Sequence, residues 1–163
     1  MGRSRSVRPT TAKVLESLMA SLAPELPGAR VLDLFAGTGA LGLAALAHGA
    51  SELVAVEADP VQARFLGTVL PGGARLVRGR LPGALARLRG RFSVVLADPP
   101  YGDPAGPATL EQLAPHLESQ AVVVFEHHHK DPYPDQPAGL RLERRRRFGE
   151  TALSYYRGRV TAP

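Results

Sequence analysis

The sequence predicts an α/β fold in which a mostly parallel sheet of seven strands carries helices on both faces and ends in an antiparallel hairpin. Three observations lead to this prediction. Short apolar runs alternate with helical patterns along most of the chain, as in parallel sheets. The run 92–97 is almost entirely apolar, as expected for a central strand that is buried on both sides. The stretch 140–159 is typical of two strands joined by a Gly149-Glu150 turn, which would close the sheet as a hairpin.

Each element has a signal of its own. The apolar residues from Val14 to Leu22 fall on one helical stripe, and a preceding threonine can cap the first turn of that helix. Apolar runs bounded by turn residues predict five further strands, at 31–35, 52–56, 75–77, 92–97 and 121–125. Helices are predicted between them, at 40–48, 60–70, 81–88 and 107–118. The hairpin strands 140–148 and 151–159 follow a loop at 130–139 that contains four proline or glycine residues.

Length and composition limit the class of protein. The 163 residues, of which 44% are hydrophobic, suit a single domain over 1–163 with a full core, which excludes a wholly disordered chain. No apolar run approaches the roughly 20 residues that a transmembrane helix needs. The absence of cysteine excludes disulfides and thiolate zinc sites. We therefore expect a cytoplasmic protein that acts as a monomer, away from membranes.

Positive charge is concentrated at the two ends of the chain. The basic N-terminal segment 1–13 contains four cations and no acid, and residues 141–163 contain seven arginines against two glutamates. The net charge of the chain is +5, so residues 14–140 carry a net charge of −4. This distribution suggests that a polyanion docks against the ends while the middle forms a different site. Arginines that are simply solvated on a stable surface are the alternative.

A glycine-rich turn follows the first strand. Gly37-Thr38-Gly39-Ala40-Leu41-Gly42 fits the G-x-G-x-x-G pattern between a strand and a helix, which predicts a ligand lying close to the backbone at a helix N-terminus. Both a dinucleotide and S-adenosylmethionine bind such turns. Asp33 favours S-adenosylmethionine, because a carboxylate repels a pyrophosphate and attracts a sulfonium or an ammonium. Glu57 can bind a ribose diol in either ligand. The candidate cofactor contacts are Asp33, Phe35, Ala36, Gly37, Thr38, Gly39, Leu41 and Glu57.

The tetrapeptide Asp98-Pro99-Pro100-Tyr101 comes directly after the predicted central strand. Two prolines fix the backbone and remove two N–H donors, so the loop offers a carboxylate and carbonyls that can only accept. Such a loop suits a planar amine, with Asp98 and the Pro99 carbonyl accepting its hydrogens and Tyr101 stacking on its ring. Because an activated methyl donor needs mainly alignment, no metal is expected. The catalytic candidates are Asp98, Pro99, Pro100 and Tyr101.

Three consecutive histidines, 127–129, invite a metal-binding interpretation. Successive residues of an extended segment point to alternate sides, so three such side chains cannot easily converge on one ion. We expect this segment to be a solvated strand end.

These motifs together resemble a known family. Residues 31–39 followed by Asp98-Pro99-Pro100-Tyr101 are similar to the class I S-adenosylmethionine-dependent amino-methyltransferases, which have a Rossmann-like fold. More narrowly, Arg8-Pro9-Thr10-Thr11, residues 40–46, Phe125-Glu126 and residues 148–153 resemble the RsmD-type bacterial 16S ribosomal RNA guanine-N2 methyltransferases. The similarity covers roughly residues 8–159.

The resemblance implies a reaction and a set of contacts. The expected activity is methyl transfer from S-adenosylmethionine to guanine N2 in 16S ribosomal RNA, free or in the 30S subunit, with S-adenosylhomocysteine as product. Where relatives often hold the adenine amine with an acid or amide after the third strand, a backbone group or a stacked Arg80 is expected here. The expected substrate contacts are Arg8, Thr10, Thr11, Arg144 and Arg145.

Three other functions stay open at this point. The same acceptor-only loop would serve adenine-N6 methylation or another planar amine. A nicotinamide-dependent oxidoreductase would also use a glycine-rich turn. An inactive RNA-binding module would keep the basic ends of the chain but would lack catalytic activity.

Overall fold

The computed structural model describes residues 11–159 and confirms the predicted α/β architecture. The strands are β1 Arg30–Leu34, β2 Glu52–Glu57, β3 Arg75–Arg78, β4 Phe92–Ala97, β5 Leu117–His128, β6 Leu140–Phe148 and β7 Thr151–Gly158. The α-helices are α1 Ala12–Leu22, α2 Ala40–Ala47, α3 Pro60–Val69 and α4 Ala105–Glu111. Two 3₁₀ segments, Gly83–Arg87 and Ala114–His116, complete the regular structure of the described residues.

The seven strands form one sheet in the order β3-β2-β1-β4-β5-β7-β6. The five strands β1 to β5 are parallel, and β7 is antiparallel to both of its neighbours, β5 and β6. Strand β4 is therefore the central strand, and β3 and β6 are the two edges, each three strands away from β4. The hairpin joins the sheet through its second strand, β7.

Each face of the sheet carries its own hydrophobic core. On one face, residues of α1 and α2 such as Leu18 and Leu41 pack against Val31 and Val94. On the other face, Leu85 of the first 3₁₀ segment and Leu110 of α4 pack against residues of the sheet such as Val95. Helices on both faces follow from the chain crossing over between successive parallel strands.

Helix α1 begins at the edge of the sheet where the parallel strands end. Thr11 is its N-cap, and the Thr11 hydroxyl accepts a hydrogen bond from Val14 N at 3.3 Å, as predicted. Ser21 of α1 contacts Tyr155, and Glu25 contacts Arg157, so α1 runs in the same direction as β7. Because β7 is antiparallel to β5, its start and the start of α1 both lie at the carboxyl edge of the parallel strands.

Two predicted helices are wrong in type or extent. The segment 81–88 is a 3₁₀ turn, because Pro82 and Gly83 do not propagate an α-helix, and its bonds run from Leu85 N to Pro82 O and from Leu88 N to Leu85 O. The helix predicted over 107–118 ends at Glu111, since Pro115 cannot donate to the Glu111 carbonyl. Strand β5 consequently starts at Leu117 and is 12 residues long, whereas the sequence predicted 121–125.

No helix among residues 11–159 combines the length and apolar character that crossing a bilayer requires.

Candidate active site

Three carboxylates meet at the carboxyl edge of the sheet. Asp33 lies near the end of β1, Glu57 is the last residue of β2, and Asp98 directly follows β4. These strands are neighbours: the amide of Asp98 donates to the Leu34 carbonyl at 3.3 Å, and the amide of Ala36 donates to the Val56 carbonyl at 3.0 Å. The fold thus brings together residues that are 24 and 41 positions apart in the chain.

The glycine-rich turn is built from backbone conformations that few residues adopt. Phe35, Gly37 and Gly39 have φ angles of 55°, 57° and 82°, in the left-handed region. Glycine adopts this region readily, whereas for phenylalanine it is an uncommon and strained conformation. Such strain is often found at ligand sites. The turn leads into α2, whose first bond runs from Leu43 N to the Gly39 carbonyl at 2.9 Å.

A carboxylate already lies on this turn, and it belongs to Glu57. Its Oε1 accepts a hydrogen bond from Gly37 N at 2.7 Å, and its Oε2 accepts one from Asp59 N at 2.8 Å. In a dinucleotide-binding turn, amides of this kind hold the pyrophosphate. Here an anion would have to displace Glu57 and lie beside its negative charge. A ligand with hydroxyl donors and a positive charge meets a favourable partner instead.

Asp33 lies beneath the turn, where it is 1% exposed. Its Oδ2 accepts a hydrogen bond from Gly42 N in α2 at 3.0 Å, and its Oδ1 has no partner among the described residues. Burial raises the pKa of Asp33 well above its usual range, and the charges of Asp98 and Glu57 raise that pKa further. Gly42 is required at this contact, since a Cβ there would lie 2.8 Å from Oδ2. The sequence did not predict this buried position, which gives Asp33 a role in tying β1 to α2.

The Asp98–Tyr101 loop is fixed by contacts on both sides. Pro99 is buried, and a Cβ on Gly106 of α4 would lie 3.0 Å from Pro99 Cγ, so the helix passes close to the loop. The Tyr101 hydroxyl is hydrogen-bonded to the hydroxyl of Thr151 at the start of β7. The rings of Tyr101 and His128 meet edge to face with centroids 5.2 Å apart. These contacts hold the partly exposed tyrosine in one orientation.

Further along, the same loop is anchored to the segment that connects β5 and β6. The amide of Gly102 donates to Asp131 Oδ2 at 3.1 Å, and the ring of Tyr133 stacks on His127 at 4.0 Å. A Cβ on Gly106 would lie only 2.1 Å from the Tyr133 hydroxyl. Position 106 therefore has no room for a side chain unless this segment moves.

His127 is buried, so the prediction of a solvated strand end over 127–129 is wrong for this residue. Its Nε2 is 2.6 Å from the Ser154 hydroxyl, and its Nδ1 is 2.7 Å from the His128 carbonyl. Because a carbonyl can only accept, Nδ1 carries the proton, and Nε2 of the neutral ring accepts from the Ser154 hydroxyl, whose oxygen accepts from Arg145 Nε at 2.7 Å. Burial lowers the pKa of His127, and the nearby Arg145 charge lowers it further, which keeps the ring neutral.

The predicted substrate contacts have different surroundings. The guanidinium of Arg144 lies 4.6 Å above the Tyr155 ring and is exposed, whereas Arg145 also donates from Nη2 to the Tyr133 carbonyl at 3.1 Å. Arg145 is thus engaged within the fold. Thr11 lies at the carboxyl edge as the cap of α1. Arg8 and Thr10 lie outside the described residues.

The remaining predicted cofactor contacts also separate. Thr38 is exposed on the turn and Phe35, Ala36 and Gly37 are partly exposed, whereas Gly39 is buried and Leu41 packs into the core beside α1. Arg80 is exposed just after β3. No three histidine, aspartate or glutamate side chains within 11–159 are grouped so that they could hold a metal ion.

The fold and the residues at the carboxyl edge of the sheet define a methyltransferase of the Rossmann-like class I type. Comparisons with known proteins support this assignment. A solved structure from Escherichia coli described as a methyltransferase, yhhF, matches with a TM-score of 0.81 and 31% identity, covering 94% of this chain and 89% of that one. The chain belongs to the family described as "Conserved hypothetical protein 95", whose model matches residues 1–157.

Curated relatives point to the same group. "Ribosomal RNA small subunit methyltransferase D" of Escherichia coli strain K12 is 33% identical over 159 residues, which cover 94% of this chain and 80% of that protein. The rRNA methyltransferase YlbH of Bacillus subtilis is 32% identical over 164 residues, covering 94% and 89%. The resemblance that the motifs carried is therefore confirmed.

Proposed function

We propose that this methyltransferase transfers a methyl group from S-adenosylmethionine to the exocyclic N2 of a guanine in 16S ribosomal RNA. The observation that carries this proposal is the pair formed by a carboxylate-lined turn and an acceptor-only loop at the ends of adjacent strands. The ribosomal RNA target follows from the family and its curated relatives. We further propose that the protein acts as a monomer, on RNA that is free or part of the small subunit.

The residues at the turn fit the cofactor by their chemistry. Glu57 offers two carboxylate oxygens to a ribose diol, and both now accept only backbone N–H groups of the chain. The Oδ1 atom of Asp33, which has no partner among the described residues, adds a further polar atom beneath the turn. Arg80, exposed just after β3, supplies a planar cation that can stack on the adenine. When bound, S-adenosylmethionine supplies a methyl group on a positively charged sulfur.

The loop 98–101 prepares the acceptor amine. An exocyclic amine is a poor nucleophile because its lone pair is delocalised into the base. Asp98 and the Pro99 carbonyl accept its two hydrogens, which favours a pyramidal nitrogen and directs its lone pair towards the methyl group. Tyr101 holds the base by stacking, and the Thr151 hydrogen bond fixes the orientation of its ring. The new N–C bond forms as the S–C bond breaks, and one amine proton leaves to Asp98 or to solvent.

The nicotinamide alternative is disfavoured by the same contact. The Gly37 amide, which would hold a pyrophosphate, is bonded to Glu57 at 2.7 Å. A dinucleotide would have to break this bond and tolerate like charges at contact distance.

The test is methyl transfer with product identification. The protein is incubated with methyl-labelled S-adenosylmethionine and small-subunit RNA, either free or assembled, and the RNA is digested to nucleosides for mass spectrometry. We expect the label in N2-methylguanosine. Label in N6-methyladenosine would identify the alternative acceptor, and S-adenosylhomocysteine binding without any transfer would identify an inactive module.

A further inference from the structure

The middle of the chain contains a second basic region, which is concealed by the negative net charge of residues 14–140. Residues 60–97 include seven arginines and no lysine, aspartate or glutamate. The acids that make residues 14–140 negative overall lie before and after this stretch. In the fold, the stretch forms α3, edge strand β3, the 3₁₀ turn and central strand β4.

Six of these arginines are exposed on α3, β3 and the 3₁₀ turn, or within two residues after these elements: Arg64, Arg75, Arg78, Arg80, Arg87 and Arg89. We call them the β3-edge patch. Within residues 11–159, none of the six forms an ion pair with a carboxylate, whereas Arg30, Arg141, Arg145 and Arg157 all do. Six arginines without acidic partners in this part of the chain create a strong positive field.

Contacts between the three elements make the patch continuous. A Cβ on Gly67 of α3 would lie 3.9 Å from Arg78 Nη2, so the Arg78 side chain lies against α3. Arg64 is three residues before Gly67 and hence on the same side of the helix. On the other side, Arg87 donates from Nη2 to the Arg78 carbonyl.

An exposed aromatic residue follows Arg64 in α3. Phe65 is 47% exposed, and Val61 and Val69 extend the same stripe of α3 at 74% and 36%. An isolated exposed apolar residue needs no explanation, but an exposed aromatic residue beside an unpaired arginine matches the surfaces on which unpaired bases stack.

We propose that the β3-edge patch binds RNA that flanks the target nucleotide, with Phe65 against a base and its arginines on phosphates, except Arg80, which the proposed function places on the cofactor. This rests on the proposed function and extends it to a second substrate contact. Arginine forks match phosphate oxygens, and the patch contains no lysine. An acidic protein surface would satisfy the charges but would not use the aromatic ring.

The position of the patch relative to the active site supports this assignment. Arg78 is paired in register with Glu57, and the Gly79 amide donates to the Glu57 carbonyl at 3.0 Å. The patch therefore begins beside the cofactor turn. Strand β4, which leads into Asp98, is three strand spacings from β3. At roughly 4.8 Å per spacing, the two strands are about 14 Å apart. The same number of strands separates β4 from arginine-rich β6, so the two basic edges flank the catalytic loop.

The test uses three patch residues that are remote from the cofactor turn. A chain carrying Arg64→Gln, Arg75→Gln and Arg89→Gln is compared with the wild type and with a control carrying lysine at the same positions. S-adenosylhomocysteine binding and thermal unfolding should be unchanged in both variants, which shows that the fold is intact. The glutamine variant should bind small-subunit RNA roughly tenfold more weakly near 0.1 M salt, and its slope of log K against log salt should fall by about 2.

Methylation kinetics give the second measurement. For the glutamine variant we expect a KM for RNA raised about tenfold with kcat at saturating RNA retained, and for the lysine control, which keeps the charge but not the planar fork, a smaller rise in KM. A glutamine variant with the wild-type KM and salt slope overturns the proposal. So does a variant that binds protein-free RNA normally but methylates assembled particles poorly, because that result assigns the patch to a ribosomal protein. If the wild type itself transfers no methyl group, the proposed function fails, and the binding slopes still decide on the patch.

Discussion

Replacing Arg145 by alanine should destabilise the protein more than replacing Arg144, although the two are neighbours in one run of arginines. Arg145 donates to the buried Ser154 hydroxyl at 2.7 Å and to the Tyr133 carbonyl at 3.1 Å. Hydrogen bonds from a charged group contribute roughly 1.5–3 kcal/mol each, and the partial exposure of Arg145 reduces that figure. We expect a total loss of about 2–3 kcal/mol. Arg144 loses only an exposed contact with the Tyr155 ring, which is worth about 0.5–1 kcal/mol.

Urea unfolding of both variants at one pH measures this difference, since the free energy in water follows from linear extrapolation. Arg145→Lys is the matched control: it keeps the charge but not the planar fork that reaches both acceptors, so we expect an intermediate stability. The two variants should also differ in activity. Arg145→Ala should lower kcat, because the segment between β5 and β6 would hold the Asp98–Tyr101 loop less firmly. Arg144→Ala should raise the KM for RNA. Equal free energies of unfolding for the two alanine variants, within about 0.5 kcal/mol, would refute the reasoning.

Three further predictions concern the carboxylates. Asp98→Ala should abolish methyl transfer while a thermal shift with S-adenosylhomocysteine remains, because Asp98 is proposed to hold only the acceptor amine; full activity would be incompatible with the mechanism. Glu57→Gln should weaken S-adenosylhomocysteine binding by about tenfold in calorimetry, since one hydrogen bond to a charged group is worth roughly 1.5 kcal/mol; unchanged affinity would remove Glu57 from the cofactor site. Because burial raises the pKa of Asp33, the native state binds a proton that the unfolded chain loses above about pH 4. The stability of the free protein should therefore fall as pH rises from about 4 through that raised pKa, and Asp33→Asn should flatten this part of the curve; a variant with the wild-type slope would argue against it.

The sheet and its active edge were predictable because they depend on local patterns. Apolar runs bounded by glycine or proline mark buried strands, and parallel strands place their carboxyl ends together. The predicted end of a helix was wrong where a proline ends the helix four residues before itself. Pro115 ends α4 at Glu111, which frees the chain to begin β5 at Leu117.

The roles of the two acids near the turn were not predictable, since both depend on which atoms meet across strands. The sequence favoured Asp33 as the residue that distinguishes cationic from anionic ligands. In the fold, Glu57 reaches the Gly37 amide from the neighbouring strand, and Asp33 turns beneath α2 to Gly42. His127 shows the same limitation, because its burial follows from pairing with β7, which brings Ser154 to its ring.

Charge summed over long segments concealed the β3 edge. A net charge of −4 over residues 14–140 suggested an acidic middle, yet seven arginines and no acid fall within 60–97. Because β3 is an edge strand, the arginines on β3 and on the adjoining α3 are exposed at one side of the sheet. A shorter window of charge along the sequence would have found the stretch, but only the strand order shows that it lies opposite β6.

The ligand preference of the glycine-rich turn tests the central claim most directly. Calorimetric titration of the wild-type protein with S-adenosylhomocysteine and, separately, with NAD compares a ligand that brings an ammonium and a ribose diol with one that brings a pyrophosphate. The account predicts saturable binding of S-adenosylhomocysteine that weakens in Glu57→Gln, and no detectable heat with NAD. Tight binding of NAD, with no response to S-adenosylhomocysteine, would contradict it.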